Sequence, residues 1–307
     1  MNSTGNSSTT PVQAMTPSGI SERQNEPKNL HLLAAQRQLY RDEKKYTGFW
    51  YLGSVVIAML AVAASVSVFT KPHEPLIVLF WFLFAVGEFA LLPNLRKPRI
   101  EAAIIQEKFD CDVLDLEWND ALAKEPDSKI IERAVERFNS KKNRDREWKR
   151  LENWYESPAI KDEPIHIARI ACIKENIRWD SGQRREWASW IKWITIGILI
   201  LLAVAGIQYN LLLKQYFSGL FLLIIPLLIA VYGHFSRHTE AAKRLDHLEG
   251  VLKDLYRDAI RQNADIEEIT RRTRYLQTEI CHHRMEDEPV LDWFYNKLGK
   301  KYAPAQI

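Results

Sequence analysis

The chain has 307 residues, of which 47% are hydrophobic, 26% charged and 11% aromatic, with a formal net charge of only +3. That near-balance gives no electrostatic reason for a nucleic-acid polymer as partner. Three scattered cysteines, Cys111, Cys172 and Cys281, argue against a disulfide framework and suit a reducing compartment as buried thiols.

Residues 1 to 28 are rich in Ser, Thr, Asn, Gly and Pro and hold too few large apolar groups to offset the entropy of ordering, so a disordered tail is expected. It has no early apolar core, so no cleavable secretory signal is expected. From residue 29 to 48, Leu32, Leu33, Gln36, Leu39 and Tyr40 recur at helical spacing opposite a basic face, an amphipathic helix leading to Phe49. Phe49 to Phe69 is uncharged, Thr70 to Glu74 is a turn, and Pro75 to Leu92 returns with a single acid, Glu88. About 21 apolar residues at ~1.5 Å each span one bilayer core, so residues 49 to 92 read as a transmembrane hairpin.

Residues 93 to 189 form a polar middle domain. Arg99 to Lys108 is a helical run, and in FDCDVLDLEWN (Phe109 to Asn119) the apolar groups alternate in two phases, as a short strand with a bulge would. Its acids, Asp110, Asp112, Asp115 and Glu117, read as a solvated face. Asp127 to Phe138 is an amphipathic helix, and KKNRDREWKR from Lys141 puts six basic residues in ten, either a solvated face or a phosphate-neutralising patch. Ile165 to Trp179 continues as a helix. A second transmembrane hairpin covers residues 190 to 235, with Trp193 to Leu213 and Tyr216 to Tyr232 joined at Lys214-Gln215. Residues 236 to 307 carry an apolar seam from Leu245 to Ile280. It reads either as one coiled-coil segment or as an antiparallel pair breaking near Asn263, with Asp265 and Glu268 capping the second helix. Cys281, His282 and His283 have no second ligand pair, so no metal is assigned.

The fold class expected is therefore mainly α and integral to the membrane. Four transmembrane helices in two hairpins enclose an α+β middle domain, and a long helical or coiled-coil segment ends the chain. Four crossings put both termini on one side, and Arg37, Arg41, Lys44, Lys45, Arg96 and Lys97 are among the flanking cations that make that side cytoplasmic. Glu88, Gln208 and Asn210 are the polar groups within the apolar runs, candidates for a pore lining or for interface positions. No phosphate-binding glycine loop, dinucleotide fingerprint, nucleophile elbow or paired metal motif occurs, so no catalytic residue is assigned and a non-enzyme is expected.

LLAAQRQLY before the first crossing, FDCDVLDLEWN after the second, NWY at Asn153 to Tyr155, and the run from Arg169 through Asn176, Trp179, Asp180 and Arg184 resemble the SMODS-associated four-transmembrane effectors. The resemblance implies a pore-forming effector of bacterial cyclic-oligonucleotide anti-phage signalling (CBASS), placed in the inner membrane and acting by abortive infection. It implies no cofactor beyond an activating cyclic di- or trinucleotide, and as partners the lipid bilayer and further copies of the chain. Such a ligand needs cations for phosphate and flat rings for stacking. Trp118, Trp154, Tyr155, Arg169, Trp179, Arg184 and Arg185 are the available set. The competing expectation is a membrane-anchored sensor or scaffold that binds a partner through its C-terminal helices and forms no pore.

Overall fold

The computed structural model describes residues 18–67, 79, 82–83, 86–87, 92–208, 222–292 and 294. In order the helices are α1 (Ile20–Arg23), α2 (Pro27–Ser67), α3 (Leu92–Leu114), α4 (Ser128–Asn139), α5 (Arg144–Lys149), α6 (Ala159–Asp162), α7 (Ile165–Gln208), α8 (Leu222–Ala259) and α9 (Ile266–Glu286). The amphipathic lead-in and the start of the first apolar run form one rod, α2, of 41 residues. The same continuity joins Ile165 to the third apolar run in α7, since no helix-breaking residue separates polar from apolar stretches.

The five longest helices pack by their polar halves. Arg178 with Glu249, Arg185 with Asp246 and Trp187 with His234 pair α7 antiparallel to α8. Arg99 reaches Glu43 from α3 to α2, and α9 lies along α3, with Gln277 donating to Glu107 and Asp110 at 2.9 Å. Leu33, Ile105, Phe109, Ile173, Leu252 and Leu276 are almost fully buried in one core between these helices. At roughly 1.5–3 kcal/mol per large apolar side chain removed from water, this layer supplies the stabilisation against which the buried charges described below are set. The three cysteines are buried free thiols, and burial pushes the Cys111 thiol up to about 12.

The mainly helical expectation holds, but the α+β middle domain does not. Among the described residues there is no strand. Phe109 to Leu114 forms the last turns of α3, and the two-phase alternation arose because Phe109, Asp110, Cys111, Val113 and Leu114 are all buried around the helix. Asp115 then takes a left-handed conformation (φ 53°) and the Leu116 N–H bonds back to the Cys111 carbonyl at 2.9 Å, a Schellman-type stop made without glycine. Asp110 is correspondingly no part of a solvated face.

Two further expectations change. Ser18 to Lys28, placed in the disordered tail, fold onto the middle domain. Ile20 is fully buried, Ser18 Oγ donates to the Ile160 carbonyl at 2.5 Å, and Gln24 exchanges hydrogen bonds with the backbone of Tyr155. The seam from Leu245 to Ile280 is the antiparallel pair, not one coiled coil. α8 ends at Ala259, Asp265 accepts from the Glu268 N–H at 3.1 Å as the N-cap of α9, and Arg272–Asp258 and Arg244–Asp287 bridge the two helices.

Among the described residues no helix is long and apolar enough to cross a membrane. The expected crossings are described only in part. Glu88, Asn210 and the reversal at Lys214-Gln215 lie outside the described residues, and Gln208 is exposed at the end of α7. The far ends of the long helices leave the packed core with their apolar side chains uncovered, as at Phe49 (72% exposed), Trp193 (65%), Ile207 (77%) and Tyr232 (69%).

Candidate functional site

A cavity of about 290 Å³ opens between α2, the chain from Glu147 to Trp154, the middle of α7, the end of α9 and the segment that follows it. The size is near the lower end for small-molecule sites, roughly 300–1,000 Å³. Its cations come from α2 (Arg37, Arg41, Lys44) and from Arg150, Arg184 and Arg284, and its flat rings are Tyr40, Trp154 and Trp179.

Each wall follows from local sequence. Residues 37, 41 and 44 recur at helical spacing, so α2 presents them as one stripe. Arg41 also rests over the Phe138 ring, 5.8 Å from its centroid. The basic run is split by its own acid: Glu147 turns inward to Arg41 and Arg37 and bonds Arg150 at 3.1 Å. Although burial works against charge there, Arg41, Arg37 and Arg150 hold its carboxyl below the usual range. Trp148 anchors this stretch by stacking edge-on against Phe138 at 5.4 Å and donating to Asn139 at 2.8 Å. Lys141 is lowered to about 8 by burial and by Arg41, so the basic run is no uniform phosphate patch.

On the α7 side Asp180 bonds Arg184 at 3.0 Å and lies 2.8 Å from His283 Nε2. Burial opposes its charge, but Arg184 and His283 hold it well below the usual carboxylate range. Below the cavity runs a polar network: Tyr155 Oη donates to Asp110 at 2.6 Å, Asn176 donates to Tyr155 Oη at 3.1 Å, and Arg284 donates to Asp110 at 2.6 Å.

Of the seven ligand residues expected from sequence, Trp154, Trp179 and Arg184 line this cavity together. Tyr155 is buried beside it with its hydroxyl committed to Asp110. Arg169 instead covers the end of α3, donating to the carbonyls of Leu114 and Asp115. Trp118 does not line the cavity; its ring lies under Lys108 and its indole N–H donates to the Ala123 carbonyl at 3.1 Å. Arg185 pairs with Asp246 at 2.7 Å outside the cavity. Sequence reading missed Tyr40, Arg41, Lys44, Glu147 and Arg284 as site residues, although the basic face of the lead-in helix carried the signal for Arg41 and Lys44.

Among the described residues, His234, His238 and Glu288 are the one group close enough to suggest a metal, with ligand atoms within 4.8 Å of one another. Most of their polar atoms already have protein partners: Trp187 Nε1–H donates to His234 Nε2 at 3.0 Å, His234 Nδ1 lies 2.8 Å from Glu288, Arg237 lies 3.3 Å from the other Glu288 oxygen, and Arg184 lies 3.4 Å from His238 Nδ1, which leaves His238 Nε2 buried without a hydrogen bond. Two guanidiniums, Arg184 and Arg237, disfavour a further cation there.

These groups set the acid sensitivity. Burial first, then His234 and Arg184, depress His238 well below its ordinary 6.5, while Asp287 and Glu288 are held at about 2 by His283 and His234 respectively, against burial. On acidification the unfolded chain takes up these protons before the folded one, so stability present at neutral pH is lost from about pH 6.5 downward through the carboxylate range. The thermal midpoint in detergent is therefore expected to fall steadily between about pH 7 and 3, and a midpoint that rises on acidification would contradict these pairings.

Residues 18–305 match the family described as "SMODS-associating 4TM effector domain". A curated protein of Bacillus cereus (strain VD146), described as "Probable CBASS effector molecule", is 22% identical over 280 residues, covering 89% of this chain and 91% of that protein. No solved structure matches the chain. With helices, motifs and cavity falling inside one family match that leaves out only the chain's extreme ends, this protein belongs to the SMODS-associating four-transmembrane effectors of CBASS.

Proposed function

We propose that the chain is a multi-pass effector of the bacterial inner membrane with both termini cytoplasmic. It binds a cyclic di- or trinucleotide in the cavity of Arg41, Lys44, Trp154 and Trp179, and answers by making the membrane permeable. One observation carries the reading: the cavity pairs a cationic stripe with aromatic rings at the base of helices that leave the core with their apolar side chains exposed. A contiguous apolar surface of that kind marks a membrane or partner contact. Cations neutralise phosphate and an indole face stacks a base, each stacked base contributing about 1–3 kcal/mol. The cavity holds one nucleotide unit, with the rest of the ring reaching toward its mouth. A four-helix subunit encloses no wide channel, so several copies assemble around water, and Glu88, Gln208 and Asn210 are the polar groups for its lining.

The test is equilibrium binding of the full chain in detergent to a panel of cyclic di- and trinucleotides. Saturable binding of one member, weakened by Trp179→Ala, supports the reading. Absence of binding across the panel, with the protein folded, removes it and returns the chain to the membrane-anchored scaffold.

A further inference from the structure

From the end of α9 at Glu286, a short segment, residues 287–292, and Phe294 after it lie at the bases of the long helices just where their apolar runs begin. Arg99, close after the second run, donates to the Glu286 carbonyl at 3.0 Å. Arg184, shortly before the third, donates to the Glu288 carbonyl at 3.0 Å. His234, just past the fourth, lies 2.8 Å from the Glu288 carboxylate. Lys44, just ahead of the first, donates to Asp292 at 2.6 Å, with Arg41 at 3.8 Å from its other oxygen. At the far end Phe294 packs edge-on against Trp187 at 5.1 Å and Trp190 at 5.9 Å. One segment thus touches α2, α3, α7 and α8 together.

The same segment forms a wall of the cavity through Asp287, Pro289, Val290 and Asp292. Its attachments differ in strength. Asp287 and Glu288 are nearly buried and held by several partners, whereas the Asp292 side chain is 45% exposed and its ion pair with Lys44 is the kind that water screens. A phosphate entering the cavity meets the same two cations, and it brings more acceptor oxygens than a carboxylate.

We propose that residues 286–292 together with Phe294 are an autoinhibitory strap. With the cavity empty, Asp292 on Lys44 and Arg41 and Phe294 on Trp187 and Trp190 hold the four helix bases together. An anionic ligand takes Lys44 and Arg41 from Asp292 and frees the Phe294 end from α7. The strap rests on the ligand-gated reading above and adds its trigger: a contest between phosphate and the strap's own carboxylate, Asp292, for Lys44.

The test needs no nucleotide. Full-length protein is placed in liposomes with a trapped dye, and Lys44→Glu, Asp292→Lys and Phe294→Ala are each expected to leak several-fold faster than the parent, while the double variant K44E/D292K, with opposite charges restored, returns to the parent rate. Hydrogen exchange across 286–294 is expected to follow the same order, accelerated in the single variants and restored in the double. Single variants that leak no faster than the parent overturn the strap, as does a double variant that leaks as fast as the singles. The parent, tested in the same vesicles with the cyclic di- and trinucleotide panel, keeps the two ideas apart. Parent protein deaf to every nucleotide removes the ligand reading, and charge-dependent leak without ligand then still reports on the strap. Parent protein that responds while the single variants stay tight keeps the ligand and removes the strap.

Discussion

Asp110→Ala is expected to destabilise the protein by about 3–5 kcal/mol, more than any other single substitution considered. Asp110 is fully buried on α3 and accepts from Tyr155 Oη, Gln277 and Arg284. Its carboxylate is the main partner raising the Arg284 pKa against burial. Removing it strands a buried guanidinium and a buried phenol, and an unmatched charge costs far more than the pair's net contribution. Asp110→Leu combined with Arg284→Met, which removes both charges, should therefore recover most of the loss. Denaturant unfolding in detergent measures both. A loss under about 1 kcal/mol for Asp110→Ala, or a double variant no better than the single, would show that this network does not join α3, α9 and the Tyr155 segment.

Arg41→Ala should weaken cyclic-nucleotide binding roughly 10- to 100-fold, the worth of a charge-assisted hydrogen bond to phosphate at about 1.5–3 kcal/mol. Glu147→Gln should act in the opposite direction. Glu147 occupies Arg41 and Arg37 in the empty site, so neutralising it removes a competitor for the incoming anion and should tighten binding. The paired signs matter more than either size, because a merely structural role for Arg41 would weaken binding in both variants. Isothermal titration with the bound member of the panel checks them, and loss of affinity in Glu147→Gln would contradict the proposed phosphate position.

Helical periodicity was legible wherever one face was buried and the other wet: α4 begins one residue after its expected start and is capped by Asp127 on the Lys129 N–H at 2.9 Å. It failed at Phe109 to Leu116, where other elements bury the end of α3 on most sides and the sequence loses the period of 3.6. The antiparallel C-terminal pair was legible in the Asp265–Glu268 cap, but the apolar spacing of the two helices runs on in register across the loop and reads equally as one seam. The fold of Ser18 to Glu26 was not legible, because it depends on hydrogen bonds to residues more than a hundred positions away, Tyr155 and Ile160. For the site, the motif residues Phe109, Asp110, Tyr155 and Asn176 do converge, yet into the support beneath the cavity: Phe109 stacks on Tyr155 with centroids 6.2 Å apart, and the polar three share hydrogen bonds. The walls were drawn from single residues at 41, 44, 154, 179 and 184, on α2, on the chain before α6 and on α7, which only the folded packing brings together.

The measurement that bears most directly on the central claim is dye release from liposomes carrying the full chain, scanned against cyclic di- and trinucleotides. Release triggered by one member, with its concentration dependence shifted roughly 10- to 100-fold upward by Arg41→Ala, is the result expected of a nucleotide-gated membrane effector. Folded, inserted protein that binds a nucleotide and releases nothing would contradict it and leave a sensor that signals through its helices to another protein.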